Sequence, residues 1–126
     1  GTPATIYGDG TQTRDFTYVA DVVHSTLLAA EVQGVAGLTI NVGPGNPVSI
    51  RSLAEAVAVA CGRRLAVDFA PRRPEDVHDM KADTALARQL LGFVPSTPMS
   101  EGLAATAAWF AAAYAGGSMV ATAPRA

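Results

Sequence analysis

Two segments of this chain place arginine side chains beside turns, where they could bind an anion. In the first segment, the turn Gly8-Asp9-Gly10 is followed by Arg14, a few residues before a helical pattern begins. In the second segment, Arg72 and Arg73 precede Asp76. A guanidinium can donate two parallel hydrogen bonds to a phosphate, which a lysine cannot do. Each segment could therefore bind phosphate, and Asp76 could accept hydrogen bonds from ribose hydroxyls.

The same residues also have a simpler interpretation at a protein surface. Arg14 could form an ion pair with Asp15 or Asp21, and the segment 72–76 could be a solvated charged loop. Exposed ion pairs of this kind are common and contribute little free energy. From spacing alone, the surface interpretation is the simpler one for both segments.

A third segment, Gly43-Pro44-Gly45, lies between a strand-like run and a helical pattern, where a dinucleotide-binding loop would lie. The third glycine of that motif would fall at Val48, however. Pro44 and Pro47 also lack the backbone amides that phosphates need. We therefore interpret the segment as a turn.

Composition and motif content exclude several classes of function. The net charge of −2 provides no basic surplus for nucleic acid. Cys61 is the only cysteine, which excludes an intrachain disulfide and a thiolate metal cluster and suggests a cytoplasmic protein. No apolar run approaches the ~20 residues that span a bilayer. Asp76, His78 and Asp79 could meet at a metal ion, but we interpret them as part of a solvated loop.

Hydrophobic periodicity predicts an α/β fold with few strands and about four helices, in the order β-β-α-β-α-β-α-α. The predicted strands include Thr5–Tyr7, Leu38–Val42 and an alternating run at Leu65, Val67 and Phe69 with one buried face. The predicted helices run from Val19 to about Val32, from a Ser49 cap to Gly62, from Asp83 or Thr84 to Gly92, and onward from a Ser100 cap.

In the first predicted helix, the expected buried face consists of Val19, Val22, Val23, Leu27 and Ala30. Residues 1–115 form one structural unit in this prediction, and residues 116–126 a disordered tail. Because the chain enters a strand almost at once, we expect a fragment of a longer protein.

Several motifs, in order and at family spacing, resemble the C-terminal part of the extended short-chain dehydrogenases/reductases (SDRs) that act on nucleotide sugars. The likeness covers about residues 3–114 and is greatest to NDP-sugar 4-epimerases. It favours the phosphate-binding interpretation of both arginine segments. The matching segments are Ile6–Phe16 continuing to Val23, Ile40–Gly43, Val48–Ile50 with Leu53, Arg73–Val77, Ala82–Asp83, Leu91–Phe93 with Pro95, and Glu101–Leu103 with Trp109.

The resemblance implies a role for six residues in binding the nucleotide sugar. Thr5 and Tyr7 match the strand that lies along the nucleobase, with the Tyr7 ring as an aromatic face. Arg14 and Arg73 match the two arginines that bind the diphosphate. Asn41 matches a position near the nucleotide, and Asp76 a ribose-facing position. Glu75 replaces the glycine that is commonest there, which affects the loop backbone but removes no ligand.

The catalytic residues of the family are missing from this sequence. Relatives use a glycine-rich loop for NAD and a Tyr-x-x-x-Lys pair for catalysis, and this chain contains neither. The residues four positions after Tyr7, Tyr18 and Tyr114 are Thr11, Val22 and Ser118. The resemblance therefore implies an NAD-dependent parent enzyme whose NAD site and catalytic pair lie outside this chain.

The resulting expectation is the nucleotide-sugar-binding part of a UDP-sugar 4-epimerase. A 4,6-dehydratase and a UDP-glucuronate decarboxylase remain open within the same superfamily, and a non-catalytic binding or structural fragment remains open outside it. The expected partners are a UDP- or dTDP-sugar and a missing N-terminal Rossmann part. Without that part, we expect the chain to associate into a homo-oligomer, to domain-swap or to be only marginally stable.

Overall fold

The computed structural model describes residues 3–115, so the tail predicted for residues 116–126 lies outside the described residues. The elements are β1 (Ala4–Tyr7), β2 (Thr13–Arg14), α1 (Val19–Glu31), β3 (Val48–Ser49), α2 (Ile50–Ala60), β4 (Val67–Ala70), α3 (Ala85–Leu91) and α4 (Met99–Ala115). The α/β fold class, with four helices and a few strands, is confirmed, whereas the third strand lies in a different segment from the predicted one.

The strands form two small sheets that bring distant segments together. Strands β1 and β4 are parallel, with Tyr7 opposite Ala70. Strands β2 and β3 are antiparallel, with Arg14 opposite Val48. Because β1 and β4 run in the same direction, the segments that follow them emerge at the same edge of the sheet. This edge carries the Gly8–Gly10 turn and the arginines after β4.

The strand predicted at Leu38–Val42 is wrong for this structure, since the third strand of the chain is Val48–Ser49. The segment 38–42 has no ladder partner among residues 3–115. Ile40 and Val42 pack against the core, whereas Leu38 is 52% exposed. Alternating apolar residues fit a strand, but a strand forms only where a second backbone supplies its hydrogen bonds.

The helix boundaries follow the capping residues in most places. The Ser49 hydroxyl accepts a hydrogen bond from the Ser52 amide at 3.1 Å, which caps α2. Gly62 and Gly92 follow α2 and α3 with φ of 61° and 62°, which favours glycine. The Ser100 cap is wrong, because α4 already begins at Met99. No helix within residues 3–115 is both long and apolar enough to cross a membrane.

The hydrophobic core lies between the end of α1, the segment after it, and α3. It contains the buried residues Val35, Ala87, Leu91 and Phe93, with Leu28, Val32, Ile40, Val42 and Leu90 packed around them. The prediction of one buried face on β4 is wrong, because Phe69 is 56% exposed although Val67 is half-buried. Most of the apolar side chains that line the sheet and helices lie outside this core.

Helix α1 is buried on the side opposite to the one predicted. Val19, Val23 and Leu27 are 65%, 52% and 58% exposed. Asp21 and Ser25 are buried. At about 100° of rotation per residue, the two sets lie on opposite sides of the helix. The apolar pattern correctly predicts a helix, but its apolar face is not covered by residues 3–115.

The buried side of α1 is fixed by the carboxylate of Asp21. This group accepts hydrogen bonds from the Ser96 amide and hydroxyl at 3.1 and 3.2 Å, and from the Thr97 amide at 3.2 Å. Burial tends to raise the pKa of the Asp21 carboxyl, but these hydrogen bonds outweigh burial and lower the pKa below its ordinary value. The ionised carboxylate thus ties α1 to the segment before α4.

We predict that Asp21→Ala lowers the free energy of unfolding by about 2–4 kcal/mol, because the Ser96 and Thr97 amides lose their acceptor. Asp21→Asn should lower the free energy of unfolding by less, since one carbonyl oxygen remains as an acceptor. The carboxyl pKa is lower in the folded state, so its contribution is present above about pH 4 and is lost as the pH falls through the folded value. Urea unfolding between pH 3 and 7 measures both effects. Asp68→Ala, on exposed β4, is the control, and an equal loss in it would contradict this role.

We further predict that the exposed face of α1 drives association of the isolated chain. The double variant Val23→Glu, Leu27→Lys should increase the monomer fraction in light scattering, because it places charges on this apolar face. A matched variant at exposed polar positions outside α1, Ser100→Glu with Gln89→Lys, should leave the association unchanged. A monodisperse wild-type monomer at high concentration would contradict the prediction.

Candidate functional site

Tyr7 and Arg73, two of the predicted site residues, contact each other through their side chains. The guanidinium carbon of Arg73 lies 3.9 Å from the centroid of the Tyr7 ring. Tyr7 ends β1 opposite Ala70, and Arg73 follows three residues later, so the parallel pairing of the strands creates this contact. The nearby Tyr7 side chain raises the pKa of Arg73 above its ordinary value. The side chain therefore stays cationic at the edge of the sheet.

Thr5 lies on the same face of β1 as Tyr7, because side chains two residues apart point to one side of a strand. Both side chains are exposed, while Ile6 between them is buried. The exposed face of β1 thus continues from the Tyr7–Arg73 contact to Thr5.

Arg14 is half-buried and is held by backbone carbonyls rather than by a carboxylate. Its Nη1 donates to the carbonyl oxygens of Thr13 at 2.7 Å and His78 at 3.3 Å. The surface ion pair with Asp15 or Asp21 is not present, since those carboxylates accept hydrogen bonds from other groups in the described chain. Arg14 thereby connects β2 to the loop after β4.

The carboxylate of Asp15 joins three segments beside Arg14. It accepts hydrogen bonds from the amides of Gly45 at 3.0 Å, Asn46 at 3.2 Å and Ala82 at 3.1 Å. Gly43 lies close to this carboxylate, because a Cβ added at Gly43 would lie 3.2 Å from Asp15 Oδ2. Arg14 and Asn41 line one cavity of about 680 Å³ as a result.

Asp76 lies in a second, smaller cavity of about 250 Å³ at the edge of the β1–β4 sheet. The side chain is half-buried. Arg72 lines the same cavity, and its Nη2 donates to the Asp76 carbonyl oxygen at 3.0 Å. The six predicted residues therefore fall into three neighbouring groups: Tyr7, Arg73 and Thr5 on β1; Arg14 with Asn41; and Asp76 with Arg72.

The loop between β4 and α3 connects these groups. The Thr13 amide donates to the His78 carbonyl at 2.8 Å, and the Met80 amide donates to the Thr13 carbonyl at 3.2 Å. Lys81, the only lysine of the chain, lines the cavity of Arg14 and Asn41 and a further cavity beside α3. Sequence reasoning missed the backbone contacts of Asp15 and Arg72 and the place of Lys81 in the cavity wall, although each residue lies next to or within a matched motif.

Side chains of both charges line this region, because the two cavities also contain Asp9, Asp15, Asp76, Asp79 and Asp83. Four cationic side chains lie on the segments around it: Arg14, Arg72, Arg73 and Lys81. Within residues 3–115, no group of three His, Cys, Asp or Glu side chains is placed to hold a metal ion. The Gly45 and Asn46 amides are bonded to Asp15, so the Gly43–Gly45 turn does not fit a dinucleotide phosphate.

We predict that Asp15→Asn loosens the junction between the 43–46 turn and the loop at Ala82. An amide side chain offers one acceptor oxygen in place of two, so the three amides cannot all be satisfied. Hydrogen exchange at Gly45, Asn46 and Ala82 should become faster by about tenfold or more. Asp68→Asn should leave all three rates unchanged. Unchanged exchange in Asp15→Asn would show that this carboxylate does not hold the junction.

The sequence of this chain is similar to a known protein family and to several known proteins. The sequence model of a family described as GDP-mannose 4,6 dehydratase matches residues 1–106. UDP-glucose 4-epimerase of Mycolicibacterium smegmatis is 37% identical over 110 residues, which are 87% of this chain and 35% of that protein. UDP-glucuronic acid decarboxylase 4 of Arabidopsis thaliana is 33% identical over 101 residues, or 80% of this chain and 22% of that protein.

The structure of this chain is also similar to a solved structure, MoeE5 in complex with UDP-glucuronic acid and NAD. The two chains superpose with a TM-score of 0.82 and are 38% identical in sequence. The superposition covers 88% of this chain and 37% of the MoeE5 chain. The chain thus spans about a third of the length of these two similar epimerase and MoeE5 chains.

Proposed function

This chain belongs to the GDP-mannose 4,6-dehydratase family of extended SDRs and corresponds to their C-terminal part, and we propose that it binds the nucleotide sugar in a UDP-sugar 4-epimerase. The observation that carries the proposal is the contact between Tyr7 and Arg73 at the edge where β1 and β4 both end. In α/β folds, ligands bind outside the carboxyl ends of parallel strands.

The proposed binding mode assigns one task to each group of side chains. The nucleobase stacks on the Tyr7 ring beside Thr5, and so replaces the Arg73 guanidinium on that face. Arg73 then turns to the diphosphate, which Arg14 contacts from β2. Asp76 accepts hydrogen bonds from the ribose hydroxyls. Asn41, which shares a cavity with Arg14, lies toward the sugar side of the diphosphate.

Arg14 is well suited to this task because its backbone contacts already restrict it. Half-burial and two carbonyl acceptors hold its Nη1, while the rest of its planar fork remains available for phosphate oxygens. A side chain that is already ordered loses less entropy on binding than a free surface arginine. Arg73, in contrast, is exposed and must change its contact when the base arrives.

The chain's own residues do not supply the catalytic step in this proposal. The Tyr-x-x-x-Lys pair is absent from the sequence, and the Gly43–Gly45 turn does not fit NAD because Asp15 already binds its amides. NAD and the catalytic pair therefore belong to a Rossmann part supplied by the remainder of a full-length, cytoplasmic isomerase. That part would also cover the exposed apolar face of α1.

A 4,6-dehydratase or a UDP-glucuronate decarboxylase is the alternative within this family, and the similarity to the Arabidopsis decarboxylase favours the latter. These activities share the nucleotide site and differ in residues outside this chain. A non-catalytic nucleotide-sugar-binding or structural fragment is the alternative from another class. The structural version of it predicts no response to any nucleotide.

Calorimetric titration with UDP, and with dTDP for comparison, tests the proposal. We predict that Arg14→Ala and Arg73→Ala each weaken UDP binding by about ten- to a hundredfold, because each removes charge-assisted hydrogen bonds to the diphosphate. Tyr7→Phe should bind nearly as well as wild type, whereas Tyr7→Ala should lose the stacking contact.

Arg63→Ala is the matched control, since Arg63 is exposed after α2 and lies outside the three groups. It should bind UDP like wild type. Equal weakening in Arg63→Ala and Arg73→Ala would indicate a nonspecific charge effect. Absence of UDP binding both in this chain and in a polypeptide that includes the Rossmann part would contradict the proposal.

A further inference from the structure

Gly43 is a buried glycine between the segment that carries Asn41 and the turn that follows it. Within residues 3–115, the buried glycines are Gly10, Gly43 and Gly102. Gly10 has a positive φ, a conformation that favours glycine, whereas the φ of Gly43 is not positive. The backbone conformation therefore permits a side chain at position 43, and any constraint there must come from the space around the residue.

The space that a Cβ at position 43 would need is already occupied. Such an atom would lie 3.2 Å from Asp15 Oδ2, 3.2 Å from the Ala82 Cβ and 3.5 Å from Thr17 Oγ1. The first two distances are shorter than an ordinary van der Waals contact, so a neighbour would have to shift by a few tenths of an ångström. Only glycine fits at this position without displacing Asp15 or Ala82.

Asp15 and Ala82 are bonded to each other, so a shift of either residue strains their hydrogen bond. Asp15 Oδ2 accepts hydrogen bonds from the Ala82 amide at 3.1 Å and from the Gly45 amide at 3.0 Å. Asp15 and Ala82 are also half-buried. A methyl group at position 43 would therefore push against both partners of one hydrogen bond and would weaken the contacts of Oδ2 with both amides.

The segments that meet at Gly43 carry side chains of the cavity of about 680 Å³. Arg14 and Lys81 each directly precede a residue that contacts this glycine, and Asn41 lies two residues before it. The guanidinium of Arg14 is held by carbonyl oxygens of β2 and of the loop after β4. It is not bonded to the segment 41–43, so the distance between Arg14 and Asn41 depends on how closely that segment packs against the other two.

We propose that Gly43 is a positioning residue that sets the spacing between Arg14 and Asn41 and thereby the affinity of the site for the sugar attached to the diphosphate. This inference rests on the proposed function, in which Arg14 contacts the diphosphate and Asn41 lies on its sugar side. A ligand that contacts both side chains requires this spacing, whereas a ligand that ends at the diphosphate requires only the arginines.

The first measurement is hydrogen exchange of the Ala82 and Gly45 amides in this chain without ligand. Gly43→Ala should speed exchange of both amides by about three- to tenfold, because the hydrogen bonds to Asp15 Oδ2 become weaker. The Ser52 amide donates to the Ser49 hydroxyl at 3.1 Å and serves as the internal control. It should exchange as in wild type.

A second substitution separates the packing contact from a general loss of stability. Gly43→Ala combined with Ala82→Gly removes the contact between the two Cβ atoms and should slow the exchange of the Gly45 amide again. If Gly43→Ala does not fold alone, the double variant should recover a folded chain. Val35→Ala removes volume from the hydrophobic core and should leave the ratio of Ala82 to Ser52 exchange as in wild type.

The second measurement is calorimetric titration with UDP and with UDP-glucose, in a polypeptide that includes the Rossmann part. Gly43→Ala should weaken UDP-glucose binding about three- to tenfold more than it weakens UDP binding, because only the sugar requires Asn41. Addition of Ala82→Gly should bring the ratio of the two affinities back toward the wild-type value. Val35→Ala should leave this ratio unchanged. In an Asn41→Ala background, Gly43→Ala should not change it further.

The two measurements distinguish the packing role of Gly43 from its effect on the ligand. Unchanged exchange of the Ala82 and Gly45 amides in Gly43→Ala, or no rescue by Ala82→Gly, overturns the packing role. Equal weakening of UDP and UDP-glucose binding overturns the link to the sugar, as does a change in the ratio that persists in Asn41→Ala. Faster exchange in a protein whose wild type binds neither nucleotide supports the packing role and contradicts the proposed function instead.

Discussion

The carboxylate of Asp15 is the interaction on which the arrangement of this chain depends most. It satisfies three backbone amides from segments up to 67 residues away, namely the 43–46 turn and the loop at Ala82. Arg14 precedes Asp15 in the chain, and its guanidinium is held separately by the carbonyl oxygens of Thr13 and His78. The carboxylate of Asp21 forms a second junction, because it accepts hydrogen bonds from the Ser96 and Thr97 amides. The Asp15 junction joins irregular segments and the Asp21 junction joins α1 to one, so at each an ionised acceptor satisfies amides that no ladder of backbone hydrogen bonds satisfies.

These junctions produce a region whose cations come from two distant parts of the sequence. Arg14 lies on β2, while Arg72 and Arg73 lie in the loop after β4. None of the three forms a short ion pair in the described chain, so their charge remains available to an anion. The aromatic face of Tyr7 and the half-buried Asp76 lie beside them. In the proposed binding mode, this aromatic face, these cations and this carboxylate would contact the three parts of a nucleotide sugar.

Helix α1 packs its polar side, rather than its apolar side, against the rest of the described chain. Its polar residues Asp21 and Ser25 are buried, while Val19, Val23 and Leu27 face solvent. Such an inversion is unfavourable unless another surface covers the apolar side. The similar epimerase and MoeE5 chains are about three times as long as this chain. The segment 38–42 has the same property, since it has a strand-like sequence and no strand partner within residues 3–115.

The sequence by itself determined the α/β class, the four helices, the Ser49 cap, and the glycines that end α2 and α3, because these depend on local periodicity and backbone preference. The ordered motifs also determined the family. Only the tertiary structure decided which side of α1 is buried, that residues 38–42 form no strand, and that Asp15 binds amides rather than Arg14. Each of those outcomes depends on which backbone groups or surfaces the residue contacts in the folded chain. Those contacts are made by residues far apart in sequence. Hydrophobic spacing identifies an apolar face, but it does not specify what covers that face.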